Sequence, residues 1–366
     1  MTTNNANAPH PSGEYCKNTR AGVSNRRLPA EWEHHDAVLL AWPHRHTDWE
    51  YMLDEAIDCF SRLIQAISER ERVIVVGPAE LCRESFDACG FDPQRVIFVD
   101  IPTNDTWARD FGPITVEECD INSPHRHLAL DFKFNAWGMK FAADKDNLIT
   151  RRLMHALPTG VEYVNRQGFV LEGGSIESDG LGTLLTTAEC LLSPNRNGQM
   201  TEDEIRTFLE RELGATHQLW LRHGGMTGDD TDSHIDTLAR LAPEDTILYV
   251  GATTPEGDTV EELALMAEEL RSLRTPGGNP YNLVELPLPS PIYDENGEQL
   301  PATYANYLVC PTAIYLPVYG QPLTDRHAEM ALRVAYPDRE IVAVNCRALI
   351  RQHGSLHCVT MQLINV

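Results

Sequence analysis

Short apolar runs alternate with longer amphipathic stretches along most of the chain. Runs at 38–43, 72–77, 95–101, 127–134, 183–187, 246–251, 313–318, 340–345 and 359–363 are rich in aliphatic and β-branched residues. Bounded by Gly, Pro or Asp, they predict strands. Helical periodicity predicts helices at 50–68, 80–89, 144–155, 202–213, 260–273 and 325–335. The fourth helix follows Thr201 and carries Glu204, the spacing of a capping box. Thr324 is the predicted N-cap of the sixth. The pattern is α/β, with more strands than helices and hairpin-like pairs between the helices. Segments 276–280 and 286–291 read as loops, not domain breaks. A loose strand–strand–helix–strand rhythm is compatible with propeller-like closure of α/β units.

Length adds that a single large domain is affordable, since 366 residues can bury a substantial core. Residues 1–25 are polar and Pro-containing and lack the apolar stretch of a secretory signal, so they read as a disordered tail ahead of one catalytic domain at 26–366. No apolar run is long enough for a membrane span. Nine scattered cysteines without a CxxC pair argue against a disulfide framework and a zinc ribbon, and for a reducing cytoplasm. A formal charge of −24 disfavours nucleic acid and anionic membranes and favours a cationic small molecule.

Four clusters carry candidate chemistry. Trp107-Ala108-Arg109-Asp110 follows a predicted strand, and its Trp could cover the face of a cation. Leu171-Glu172-Gly173-Gly174 offers a carboxylate beside a backbone free to approach a ligand. Asp229, Asp230, Asp232, His234 and Asp236 crowd one segment, and on a strand the last three would share a face. His357-Cys358 pairs an imidazole with a thiol between a Gly turn and a strand, whereas the other eight cysteines read as packing residues.

Taken in order, these motifs resemble the agmatine deiminase and bacterial-type peptidylarginine deiminase family of the guanidine-modifying (pentein) superfamily. Leu28-Pro29-Ala30-Glu31-Trp32-Glu33, Phe134-Asn135-Ala136-Trp137-Gly138 and Asn195-Arg196-Asn197 extend the resemblance. Two positions depart from it: Ser233, where the family usually has Gly, and Gln352-His353-Gly354-Ser355, where a Gly-rich run is common. The resemblance implies a pentein α/β propeller of five ββαβ-type units with pseudo-fivefold symmetry.

It also implies roles. Asp110 and Asp236 hold a guanidinium, Glu172 joins them or positions His234, Cys358 attacks the guanidinium carbon, and His234 moves the protons. Trp107, Asp230 and Arg196 complete the implied substrate-binding set. No metal or organic cofactor is implied. Agmatine is the expected substrate, with spare acids such as Asp229 or Asp230 for its ammonium. A peptidylarginine substrate is the alternative within the family. Oligomeric state is left open. Two rivals lie outside it. Asp232-x-His234-x-Asp236 also suits a dimetal ureohydrolase, which leaves Cys358 unexplained. A non-catalytic binder would require a lost site residue, and none is lost.

Overall fold

The computed structural model describes residues 25–120, 123–252 and 259–366. The expectation for residues 1–24 lies outside them.

All nine predicted strands form, but they account for only part of the sheet. Among the described residues, five sheets repeat one scheme: a strand, an antiparallel partner, a crossover helix, and a third strand parallel to the second. In one, Ile114–Asp120 pairs with Ser123–Lys133, and helix Ile149–Ala156 leads to Val161–Val170. The next uses Ile176–Ser178, Thr183–Thr187, helix Glu202–Leu213 and His217–Leu221. Ala239–Ala242, Thr246–Val250, helix Thr259–Ser272 and Asn282–Leu286 follow. Leu308–Val309, Ala313–Val318, helix Pro322–Ala335 and Glu340–Asn345 form the fourth in this series.

The remaining sheet joins the ends of the chain. Ala37–Ala41 and Arg72–Gly77 are parallel across helix Leu53–Ser68, and Val96–Asp100 extends the sheet. Its antiparallel strand is Met361–Leu363, from the C-terminus, with Met361 opposite Leu39. The terminal pairing therefore ties the segment carrying Cys358 to the first sheet.

Helix Leu53–Ser68 buries Ala56, Cys59, Phe60, Leu63, Ile64 and Ile67, the stripe its periodicity predicts. Thr201 and Glu204 make the capping box reciprocally. Two expectations are corrected. The last helix starts at Pro322, where proline's missing N–H is harmless, and Thr324 lies inside it. Cys119 is disulfide-bonded and is not a free packing thiol. Among the described residues no helix is long and apolar enough to cross a membrane.

The undetected strands include very short ones, Ile176–Ser178 and Leu308–Val309, and one with a buried charge, Ala239–Ala242. There Arg240 is 1% exposed, and its charge is offset by Glu177 and Glu31 and by the carbonyls of Ala305 and Tyr307.

Candidate active site

The repeated scheme explains how distant motifs meet. Asp110, Glu172, Asp236, Asn306 and Cys358 each lie two to four residues before the first strand of a unit: Ile114, Ile176, Ala239, Leu308 and Met361. They occupy equivalent loops on five sheets. Turns make this possible: Ala108–Phe111 is a single helical turn, and Gly173–Ser175 and Ile235–Thr237 are 3₁₀ turns. The segment around His234 is therefore not a strand. Asp232 and Ser233 instead take left-handed backbone, with φ of 62° at each, and turn Asp232 away from Asp236.

Cys358 is 5% exposed and lines a cavity of about 200 Å³ together with Trp107, Asp110, Trp137, Asp230 and His353. Its thiol donates to Asn306 Oδ1 at 3.3 Å, and its backbone N–H donates to the same atom. Trp107 packs so closely on Gly354 that a side chain there would collide with the indole. His353 adopts φ of 63° and bonds through Nδ1 to the Gly228 carbonyl at 2.8 Å.

Asp110 is fixed by two donors: Trp137 Nε1 at 2.9 Å to Oδ2, and the Gly174 N–H at 3.1 Å to Oδ1. His234 Nδ1 is 3.7 Å from Asp110 Oδ1. Asp236 Oδ2 accepts from His357 Nδ1 at 2.7 Å, and Glu31 lies 2.5 Å from the other ring nitrogen. Arg109, next to Asp110 in sequence, points the opposite way and pairs with Glu31 at 2.9 Å. Among these groups two buried atoms stay unpartnered, His234 Nε2 and Asp236 Oδ1, and Asp105 Oδ1 in the cavity wall is a third. Unpaired groups at that depth are costly, and together in one site they mark a place where a polar ligand belongs.

Glu172 lies behind this set. Both its oxygens accept from Arg196 Nε at 3.0 Å, and, like His234 and Asp236, neither residue is among those lining the cavity. Arg196 also holds Asp232 at 2.5 Å and the Thr231 carbonyl at 2.8 Å. The guanidinium thus braces the loop that carries His234, a different placement from the substrate contact expected of it. Asp232 is further engaged by Lys140 at 2.8 Å. Asp229 serves its own loop, accepting from Thr231 and Ser233. Ser233 donates to Glu189 at 2.7 Å.

Burial sets most of the site's electrostatics. It pushes Asp110 well above the usual carboxylate range, with Asp236 and Glu172 adding to the rise. Glu172 is raised by burial, which Arg196 partly offsets. Burial also acts to raise Asp236, but His357 outweighs it and the carboxyl ends below its usual value. His234 is pushed down to about 3 by burial against the pull of Asp236, so its ring is neutral. The Cys358 thiol is held well above its ordinary value by burial, then by Asp236 and Asp110.

Residues 27–363 match the sequence profile of the Porphyromonas-type peptidyl-arginine deiminase family. The chain belongs to this family. An agmatine deiminase of Stutzerimonas stutzeri is 31% identical over 360 residues, covering 92% of this chain and 94% of that protein. A cysteine-to-serine variant of C. jejuni agmatine deiminase, solved with substrate bound, is 34% identical with a TM-score of 0.82, over 93% of this chain and 96% of that one. A Porphyromonas gingivalis structure provisionally described as an arginine deiminase is 48% identical with a TM-score of 0.84, over 92% and 98%. The α/β fold described above is the one these relatives share.

Asn306, and the bonds of His357 to Asp236 and Glu31, were not foreseen from the sequence. Asn306 had a signal: it is a fully buried amide within the apolar run around Tyr304 and Leu308. Its unit was hidden because the strand after it has two residues.

Proposed function

We propose that the protein hydrolyses the guanidinium group of agmatine, giving N-carbamoylputrescine and ammonia. The observation that carries this is the cavity wall around Cys358. It contains Asp48, Asp105, Asp110, Asp146 and Asp230, and among the described residues lining it there is no Lys or Arg. A substrate cationic at both ends suits that wall. Free arginine would bring a carboxylate with no cation to meet it.

Asp110 and Asp236 take the guanidinium nitrogens, and the two unpartnered atoms, Asp236 Oδ1 and His234 Nε2, gain partners. The Cys358 sulfur bonds to the guanidinium carbon as its proton passes to His234. The carbon–nitrogen bond then breaks, and the departing nitrogen takes that proton and leaves as ammonia. Water, deprotonated by His234, attacks the amidino-thioether carbon; the carbon–sulfur bond breaks and the thiol is restored. Glu172 acts through Arg196 and the His234 loop. Trp107 flanks the cation, and Asp230 faces the ammonium end. The five sheets are read as units around a pseudo-fivefold axis with this site at its centre, which their matching order and equivalent loops support.

The test is a product assay on agmatine, free arginine and an arginine peptide, with Cys358→Ala as control. Agmatine should give ureido product and ammonia, and the alanine variant should lose several orders of magnitude in rate. Urea as product, or preference for the peptide, would overturn the assignment.

A further inference from the structure

We propose that His35, Glu71 and Cys310 form a binding site for a zinc-class divalent cation, separate from the reactive cysteine. One donor atom from each, an imidazole nitrogen, a carboxylate oxygen and a thiol sulfur, lies within 4.8 Å of the other two. All three residues are buried, at 3%, 9% and 0% exposure. The fold brings them together. Ala37 and Arg72 are opposite one another at the start of adjacent parallel strands, so His35 and Glu71 sit just before paired strand ends. Cys310 comes from the turn between Leu308–Val309 and Ala313–Val318, in another sheet.

Three polar side chains buried together would ordinarily hydrogen-bond one another. Here no hydrogen bond joins any two of them, and His35 Nε2 is buried without a partner. A tetrahedral zinc places its nitrogen, oxygen and sulfur donors roughly 3.3–3.8 Å apart, so convergence needs at most about 1.5 Å of closure. The donor set is borderline-soft, and a thiolate plus a carboxylate neutralise a divalent charge. Burial pushes the His35 imidazole down to about 4, which leaves a neutral ring with a lone pair to give.

Neighbouring charges permit a cation. Arg109 is engaged by Glu31 at 2.9 Å, and Arg339 donates to the carbonyls of Cys310 at 3.1 Å and Trp32 at 2.7 Å. Arg95 and His34 act on Glu71 only at a distance. His35 also lines a cavity of about 90 Å³ with His34, Glu31 and Glu33, which gives an approach and room for a fourth ligand such as water. The cation would bolt the sheet formed by the chain's two ends to the sheet holding Cys310. It takes no part in the proposed deimination.

Chelator-stripped protein titrated with Co²⁺ gives the direct test. Binding should reach one equivalent, release a proton from Cys310, and produce a sulfur-to-cobalt charge-transfer band in the near ultraviolet. Cys310→Ser should abolish the band, whereas Cys358→Ser and Cys190→Ser should keep it. Zn²⁺ in excess should raise the melting temperature of wild type by several degrees and leave that of His35→Gln unmoved. Sub-stoichiometric binding without a thiolate band in wild type would overturn the site, and needs no variant to fold. So would a band lost in Cys358→Ser or Cys190→Ser but kept in Cys310→Ser.

Discussion

Gly174→Ala is a small change with a large expected effect on activity. A methyl built on Gly174 meets three site atoms: His234 Nδ1 at 2.6 Å, Asp110 Oδ1 at 3.0 Å and Asp236 Oδ2 at 3.1 Å. The first is about 0.8 Å short of ordinary contact, which begins near 3.4 Å. The backbone at Gly174 is not left-handed, so the conflict is one of contact alone. None of the three groups can retreat freely. Asp110 is held by Trp137, Asp236 by His357, and the His234 ring is enclosed. Displacing groups that must be aligned by most of an ångström costs on the order of 10²-fold in rate, or about 2.7 kcal/mol of transition-state stabilisation. The overpacking should cost about 1–3 kcal/mol of stability, so the variant should still fold. Ammonia release from agmatine gives kcat/KM, and circular dichroism with thermal melting checks the fold. A folded variant within threefold of wild-type kcat/KM would refute the placement of these groups around the reacting carbon. Gly173→Ala is the contrast, because its methyl would strike the Arg109 backbone carbonyl, and its main effect should be lost stability.

Three further outcomes are expected. Burial holds Asp105 up to about 7 and Asp230 up to about 6, so both carry protons in acid and lose them as pH rises. KM for agmatine should therefore fall several-fold between about pH 5 and pH 8, and a flat KM would remove these acids from cation binding. Alkylation of Cys358 by iodoacetamide should keep accelerating beyond about pH 9 in the free protein, and its midpoint should drop when guanidinium ion is bound; an unmoved midpoint would end the idea that substrate activates its own nucleophile. Ser233 pays about 1 kcal/mol for its φ of 62° and recovers about as much from its bond to Glu189. By denaturant unfolding, Ser233→Gly should stay within about 1 kcal/mol of wild type and Ser233→Ala should lose about 1 kcal/mol; equal stability of alanine and serine would show that the bond contributes nothing.

The legible part of the fold was the interior. Buried strands such as Arg72–Gly77 and Ala313–Val318 announce themselves because both faces are covered and nearly every residue is apolar. The opening strands of the units were harder to read. Leu308–Val309 and Ile176–Ser178 are too short for any periodicity, and Ala239–Ala242 hides an arginine. Those opening strands index the site, so Asn306 stayed invisible while Asp110 and Cys358 drew notice from their neighbours. Side-chain direction was also beyond the sequence. Arg109 and Asp110 are adjacent yet serve opposite networks, and His357, beside the thiol, turns away to hold Asp236. The strand inferred around His234 failed for a related reason: two consecutive left-handed residues break the alternation that the one-face argument assumed.

Under the proposed mechanism, the charge distribution gives a reason for a chain to bury so many acids around a sulfur that has to become an anion. With Asp110 raised, the thiol raised and His234 neutral, Asp236 is the principal anion beside the sulfur in the unliganded site. The ring of His357, between Asp236 and Glu31, is what holds that charge in place. One fixed carboxylate is enough to draw in a cation. Once the cation is seated, its field favours ionisation of both Asp110 and Cys358, and the neutral imidazole is there to receive the thiol proton. On that mechanism a reactive thiolate exists mainly when its target is bound. Burial that looks hostile to nucleophilic catalysis becomes the device that couples activation to binding.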